Sequence, residues 1–172
     1  TMVANFDECA QMVAEVKEQE GLDKTRIRLI TDAAGLDTAS VKRGLEIMDA
    51  NNGEIWAKLD AGTKEYYETV NRTKVRFERI LKNITEAAKV RSIVVQSLFL
   101  KLHDEAMSDE ELAQYCERLN EVVAAGGKIH EVHLYTIARP TPVDYCGRLS
   151  KDELEKMAET VRQNTGLTVL TF

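Results

Sequence analysis

A chain of 172 residues, 44% hydrophobic and 30% charged, is long enough for one hydrophobic core and has the balance of an ordinary globular domain, so a single domain over 1–172 is expected. Its formal net charge of -6 excludes a broad electrostatic footprint for nucleic-acid backbones or anionic lipid, while leaving room for local basic pockets. No run approaches the roughly 20 apolar residues that cross a membrane, and no basic-then-apolar leader opens the chain.

Cys9, Cys116 and Cys146 are odd in number and far apart, which suits reduced thiols in a cytoplasmic setting, with no membrane partner. None stands in a CxxC or CxxxCxxC spacing, so the chain by itself carries no recognisable zinc or iron–sulfur site.

From the N-terminus, Phe6, Cys9, Val13 and Val16 recur at helical spacing behind Asn5 and Glu8, which predicts a helix opened by a capping box. Residues 26–31 are short and branched and predict a strand, with Asp32, Ala33, Ala34 and Gly35 as the loop after it. Val41, Leu45 and Met48 mark a second helix, capped by Asp37 or Thr38 and stopped by Asn51, Asn52 and Gly53. In the strand that follows, Trp56, Lys58 and Asp60 share one face and Ile55, Ala57 and Leu59 the other. A short helix over 64–70 reaches Asn71 and Arg72, and a longer one turns Phe77, Ile80, Leu81, Ile84 and Ala88 inward.

Residues 92–100 predict the next strand. Ser108 and Glu111 form a capping box ahead of Leu112, Tyr115, Leu119 and Val122, and Gly126-Gly127 stops that helix. Another strand covers 129–136, and 139–147, with both prolines, reads as a loop. Ser150 and Glu153 cap a last helix through Leu154, Met157 and Val161; Gly166 ends it before a final strand over 167–172.

Strand and helix alternate at the length of a βα unit, which predicts parallel strands joined by right-handed crossovers. An open doubly wound sheet and a partial barrel both fit, since a closed eightfold barrel takes about 250 residues. Polar side chains recurring on one strand face (Lys58 and Asp60, Gln96, then Glu131, His133 and Tyr135) favour an α/β partial (βα) TIM-like barrel with helices on the outer face and a wet interior.

Several groups are candidates for chemistry. Lys58 and Asp60 form either an internal salt bridge or a ligand site at the C-terminal strand ends, where α/β folds keep their sites. Thr31-Asp32 occupies the same end of the preceding strand, as a ligand contact or an ordinary turn. Gln96-Ser97 places an amide in an apolar strand, either as a satisfied core group or as a contact. His103-Asp104 lies on the presumed rim or in a solvated loop. Tyr135, Thr136 and Arg139 leave the last long strand toward that rim, where Arg139 either clamps a carboxylate or phosphate or holds the loop base. Plain alternation sets His130 and His133 on opposite faces, so HxxH is not read as a metal motif. No glycine-rich phosphate loop and no GxSxG elbow is present.

Glu54-Ile55-Trp56-Ala57-Lys58-Leu59-Asp60-Ala61-Gly62, Val70-Asn71-Arg72-Thr73, Ile93-Val94-Val95-Gln96-Ser97-Leu98-Phe99 and Tyr135-Thr136-Ile137-Ala138-Arg139, taken together, resemble the second half of radical S-adenosylmethionine proteins, in order and along the whole chain. The resemblance implies a C-terminal portion whose N-terminal half would hold a CxxxCxxC loop with a [4Fe–4S] cluster and end in a GEPT-like turn; Thr1 looks like the last residue of that turn. It implies S-adenosylmethionine and the cluster as cofactors of the full-length parent, with none ligated by this chain alone. Lys58 and Asp60 match in type and place a Lys and Asp pair that contacts ribose and the amino-acid portion in relatives similar to the glycyl-radical activating enzymes, with the order of the pair changed. Thr31-Asp32 stands where Thr-Asn is common, Gln96 and Ser97 match the fifth strand, and Tyr135, Thr136 and Arg139 match the sixth.

The implied chemistry is reductive cleavage to a 5′-deoxyadenosyl radical, for which the cofactor carries the reaction and the protein holds it. The expected partner is the N-terminal half, with self-association through open sheet edges as a further expectation. Two other classes stay open: a non-catalytic module binding a small anion or nucleoside through Lys58, Asp60 and Arg139, and a structural domain pairing through its sheet edge.

Overall fold

In the computed structural model, which describes residues 4–172, the branched runs become parallel strands: β1 Ile27–Thr31, β2 Gly53–Lys58, β3 Ser92–Leu98, β6 Lys128–Tyr135 and β8 Val169–Thr171. Their spatial order is β1-β2-β3-β6-β8, which follows the chain without reversal. The connections are α2 Ala39–Ala50, α3 Lys64–Asn71 with α4 Phe77–Val90, α5 Asp109–Ala124 and α6 Lys151–Thr165. With one crossover hand, a sheet that never reverses keeps every helix on one face. Ile55, Ala57, Leu59, Val95, Val132 and Leu134 are buried under those helices. Trp56, Lys58, Gln96, Glu131 and Tyr135, on the opposite face, are only half-buried. This is a parallel α/β sheet with a helical outer layer and an open inner face, the partial barrel expected; among the described residues β1 and β8 are both edges and no barrel closes.

Local signals place the ends. Ser150 accepts from the Glu153 N–H and Glu153 returns a bond to the Ser150 N–H, a complete capping box for α6, and Gly166 closes it at φ 68°. Asn52, at φ 61°, turns α2 into β2.

Six expectations change. α2 has no side-chain cap: Thr38 stands at the cap position but its hydroxyl donates to the Gly35 carbonyl at 2.9 Å, and the Asp37 carboxylate is taken by Arg79. Asn5 makes no side-chain cap, its amide reaching only the Glu8 carboxylate at 3.4 Å. α1 (Phe6–Gln19) buries Ala10 and Ala14, while Cys9, Val13 and Val16 of the predicted stripe are exposed. The reason is packing: α1 lies on α2, where Phe6 covers Gly44 so closely that a Cβ there would collide with its ring. The strand over 92–100 breaks at Phe99 into β3 and β4 (Leu100–Leu102). The loop over 139–147 contains the start of β7 (Cys146–Arg148), which pairs with β4 and β5 (Glu105–Ala106) in a small antiparallel sheet. His103 and Asp104, at φ 52° and 66°, are the two-residue turn between β4 and β5. Finally, the β3–β6 register slips so that Ile93 faces Ile129 and Val94 faces Glu131, leaving His130 unopposed. At this bulge alternation fails, and both His133 (2.8 Å) and His130 (3.7 Å) reach the Glu131 carboxylate.

The expected GEPT-like turn at Thr1 lies outside the described residues. Among the described residues no helix is long and apolar enough to cross a membrane.

Candidate ligand site at the strand ends

The ends of β1 and β2 and the segment joining α3 to α4 enclose a cavity of about 220 Å³, lined among others by Asp32, Lys58, Asp60, Asn71 and Thr73. Alternation carries Lys58 and Asp60 to this side. The loop that follows is then fixed from the helix layer: Glu111 of α5 accepts the N–H groups of Gly62 (2.6 Å) and Thr63 (3.1 Å) and the Thr63 hydroxyl (2.6 Å). Gly62 passes so close to α5 that a Cβ would collide with the Tyr115 backbone nitrogen. Glu111 was expected to close a capping box with Ser108; Ser108 does accept the Glu111 N–H (3.2 Å), but the carboxylate turns across to the β2 loop instead.

Asp60 is buried, and its carboxylate joins three elements. One oxygen accepts the Leu98 N–H at 2.8 Å and the other the Asn71 side-chain amide at 3.0 Å. Burial nevertheless raises its pKa above the usual 3.8. The Asn71 side-chain oxygen, Oδ1, is buried with no hydrogen-bond partner among the described residues. Lys58 makes no ion pair with Asp60 within 4 Å among the described residues. Burial pulls its pKa down, but the nearby Tyr135 phenol and the charges of Asp60 and Asp32 outweigh that and raise it above the usual lysine value. Its ammonium also lies 5.8 Å from the Tyr135 ring centroid. Thus Lys58 stays a cation, and the cavity holds a cation, a strained carboxylate and an unused acceptor.

The turn after β1 is built, not loose. Thr31 accepts the Ala33 N–H (3.0 Å), Asp32 accepts the Ala34 N–H (3.1 Å), and the buried Asn83 amide donates to the Ala33 carbonyl (2.8 Å). Ala33 sits at φ 62°, a strained choice for a residue with a Cβ. This turn presents Asp32 to the cavity.

The sequence-selected residues therefore divide. Asp32, Lys58 and Asp60 line one cavity, Tyr135 joins them through Lys58, and Gln96 stands beside Lys58 in the β2–β3 register. Thr31 supports the turn. Ser97 faces the helices instead, fully buried and 2.7 Å from the Tyr115 hydroxyl. Thr136 accepts the Leu149 N–H at 2.9 Å and pins the start of α6, while Arg139 is exposed and does not line the cavity. Asn71, Thr73 and Glu111 were not selected as site residues. Asn71 lay inside a quoted segment, yet its role needs the packing of α3 over the end of β2, which periodicity does not encode.

The described residues offer no fit for an iron–sulfur cluster: Cys9, Cys116 and Cys146 belong to α1, α5 and β7, and no group of three His, Cys, Asp or Glu side chains gathers to hold a metal.

Comparison with protein-family models gives no match, and no curated protein sequence matches. Solved structures do. A domain of pyruvate-formate lyase-activating enzyme from Bacteroides vulgatus superposes with a TM-score of 0.66 at 13% identity, covering 99% of this chain and 95% of that one. SuiB from Streptococcus suis, bound to S-adenosylmethionine, superposes with a TM-score of 0.65 at 16% identity, covering 96% of this chain and 36% of that one. At these identities the likeness is one of fold: a parallel α/β sheet with helices on one face.

Proposed function

We propose that this chain forms the S-adenosylmethionine-facing and substrate-facing wall of a radical S-adenosylmethionine enzyme, as its C-terminal portion. The observation that carries the reading is the buried, partnerless Asn71 Oδ1 beside Asp60 and Lys58, at the strand ends of a fold shared with a protein crystallised with S-adenosylmethionine. A buried acceptor without a partner costs about 1–3 kcal/mol, a cost that a ligand hydroxyl or ammonium offsets when it donates there. Lys58 suits the ligand carboxylate. A volume of about 220 Å³ is below the roughly 300–1,000 Å³ of sites that enclose a drug-sized molecule, so the cavity takes the ribose and amino-acid end only. Gln96 and Tyr135 continue the wall over the open sheet face.

In such enzymes bound S-adenosylmethionine is the source of an adenosyl radical; the part assigned to this chain is to bind, orient and screen it from water. The cluster ligands are assigned to a partner, the N-terminal half, because the described cysteines gather nowhere.

Calorimetric titration of the chain with S-adenosylmethionine tests the reading. Saturable binding that is lost in Lys58→Ala and in Asp60→Asn, with circular dichroism unchanged, is expected. No binding, or binding indifferent to both substitutions, overturns it.

A further inference from the structure

Eleven arginines stand in the sequence, and seven of them are paired with carboxylates across or along the helices and the lower sheet. The four without an ion pair among the described residues are Arg72, Arg76, Arg139 and Arg148. All four lie in the segments that rise above the C-terminal ends of the strands: the α3–α4 connection, the loop after β6, and β7. All four are exposed. In a chain of net charge -6 that neutralises its other guanidinium groups, four left free on one rim is a selective arrangement.

The same rim carries an aromatic stack. His103, exposed at the tip of the β4–β5 turn, lies parallel on Tyr145, with ring centroids 5.1 Å apart and planes 17° from parallel. The Arg72 guanidinium sits over the Tyr145 ring at 5.4 Å. Arg72 is held at φ 47°, so the backbone turn closing α3 aims it across to the small sheet.

We propose that this rim binds a single-stranded RNA segment, with Arg72, Arg76, Arg139 and Arg148 on successive phosphates and a base continuing the stack on His103. Guanidinium forks match phosphate oxygens, and an unstacked base finds a π-face on an exposed imidazole. Four cations spread over two connections exceed what one phosphate uses, and an acidic peptide would make no use of the stack. Asp104 and Asp144 share the rim and weaken its field, so the affinity expected at physiological salt is that of non-specific binding, with Kd on the order of 10⁻⁴ to 10⁻⁶ M.

The test is fluorescence anisotropy of a labelled, mixed-sequence 20-nucleotide RNA titrated with the whole 172-residue chain at several salt concentrations. Binding should weaken with salt at a log–log slope of about -3, from about -0.7 per phosphate contact on a single strand. The double variant R139A/R148A should lose tenfold or more and flatten the slope by about 1.4. His103→Ala should weaken RNA while leaving inorganic polyphosphate binding unchanged. Arg43→Ala, on the helical face, should change nothing. Thermal melting checks the fold: R139A/R148A should match the parent because Arg139 and Arg148 make no ion pair among the described residues, and Arg43→Ala, which gives up its pair with Asp7, should still leave RNA binding unchanged. Absence of RNA binding, equal binding by R139A/R148A, or equal competition by polyglutamate overturns the proposal.

Discussion

Asp60 is a carboxylate held against its preference, because burial raises its pKa more than the Leu98 N–H and the Asn71 amide lower it. The folded state therefore binds its proton more tightly than the unfolded chain; the stability this gives is full below pH 3.8 and is lost as pH rises through the raised value. At neutral pH the ionised group is a net cost. Asp60→Asn keeps an acceptor for Leu98 and, once the Asn71 amide turns over, meets Asn71 Oδ1 with the new side-chain NH2 in place of the present Nδ2 contact, so thermal melts should show a melting temperature at pH 7 equal to or above the parent's, alongside lost ligand affinity. A large drop in melting temperature would instead make Asp60 a structural anchor. Ser97 offers the opposite contrast. Its hydroxyl and that of Tyr115 satisfy each other in the core, and burial pushes the Tyr115 phenol well above its usual range. Ser97→Ala strands the phenol and should cost about 1–3 kcal/mol in urea unfolding while leaving ligand binding alone; lost affinity at intact stability would move Ser97 to the site. Alternation made the Lys58 and Asp60 face legible from sequence. It left the two residues' partners unread, since Asn71, Leu98 and Tyr135 come from three other segments.

Among the elements, the capped helices and the five parallel strands follow from periodicity and end signals, whereas the small sheet does not. β4, β5 and β7 are two or three residues each, too short for a pattern, and Pro140 and Pro142 just ahead of β7 made its segment read as loop. α1 misled for another reason: its apolar stripe is real but faces outward, because the alanine face fits α2 more closely. One contact ties the small sheet to α6. Lys101 of β4 pairs with Glu153 at 2.7 Å; that bond first, and the Ser150 cap second, pull the Glu153 pKa down to about 2. Its contribution is present above pH 4.5 and lost as pH falls toward 2. Hydrogen exchange should therefore show β4, β5 and β7 loosening before the five-stranded sheet on acidification, and Glu153→Gln should show the same loosening at neutral pH. Uniform protection across both sheets in that variant would contradict this.

For the molecule as a whole, the sheet ends at β1, whose outer edge has no neighbour among the described strands, and Ile30 on it is 56% exposed. Met12, Val13 and Val16 of α1 are exposed as well. Open edges with apolar surface invite pairing, so sedimentation should show concentration-dependent self-association that Ile30→Lys suppresses; a strict monomer over a wide concentration range would count against it. The open inner face beside that edge is what separates this architecture from a doubly wound sheet, and it is where the ligand reading stands or falls. The most direct measurement is an amide-resolved NMR titration of the isotope-labelled chain with S-adenosylmethionine. Saturable shifts confined to the turn at Asp32, the β2 end through Asp60, Asn71 to Thr73, Gln96 and Tyr135 are expected. Shifts on the helical face, or a spectrum that does not change, would contradict that reading.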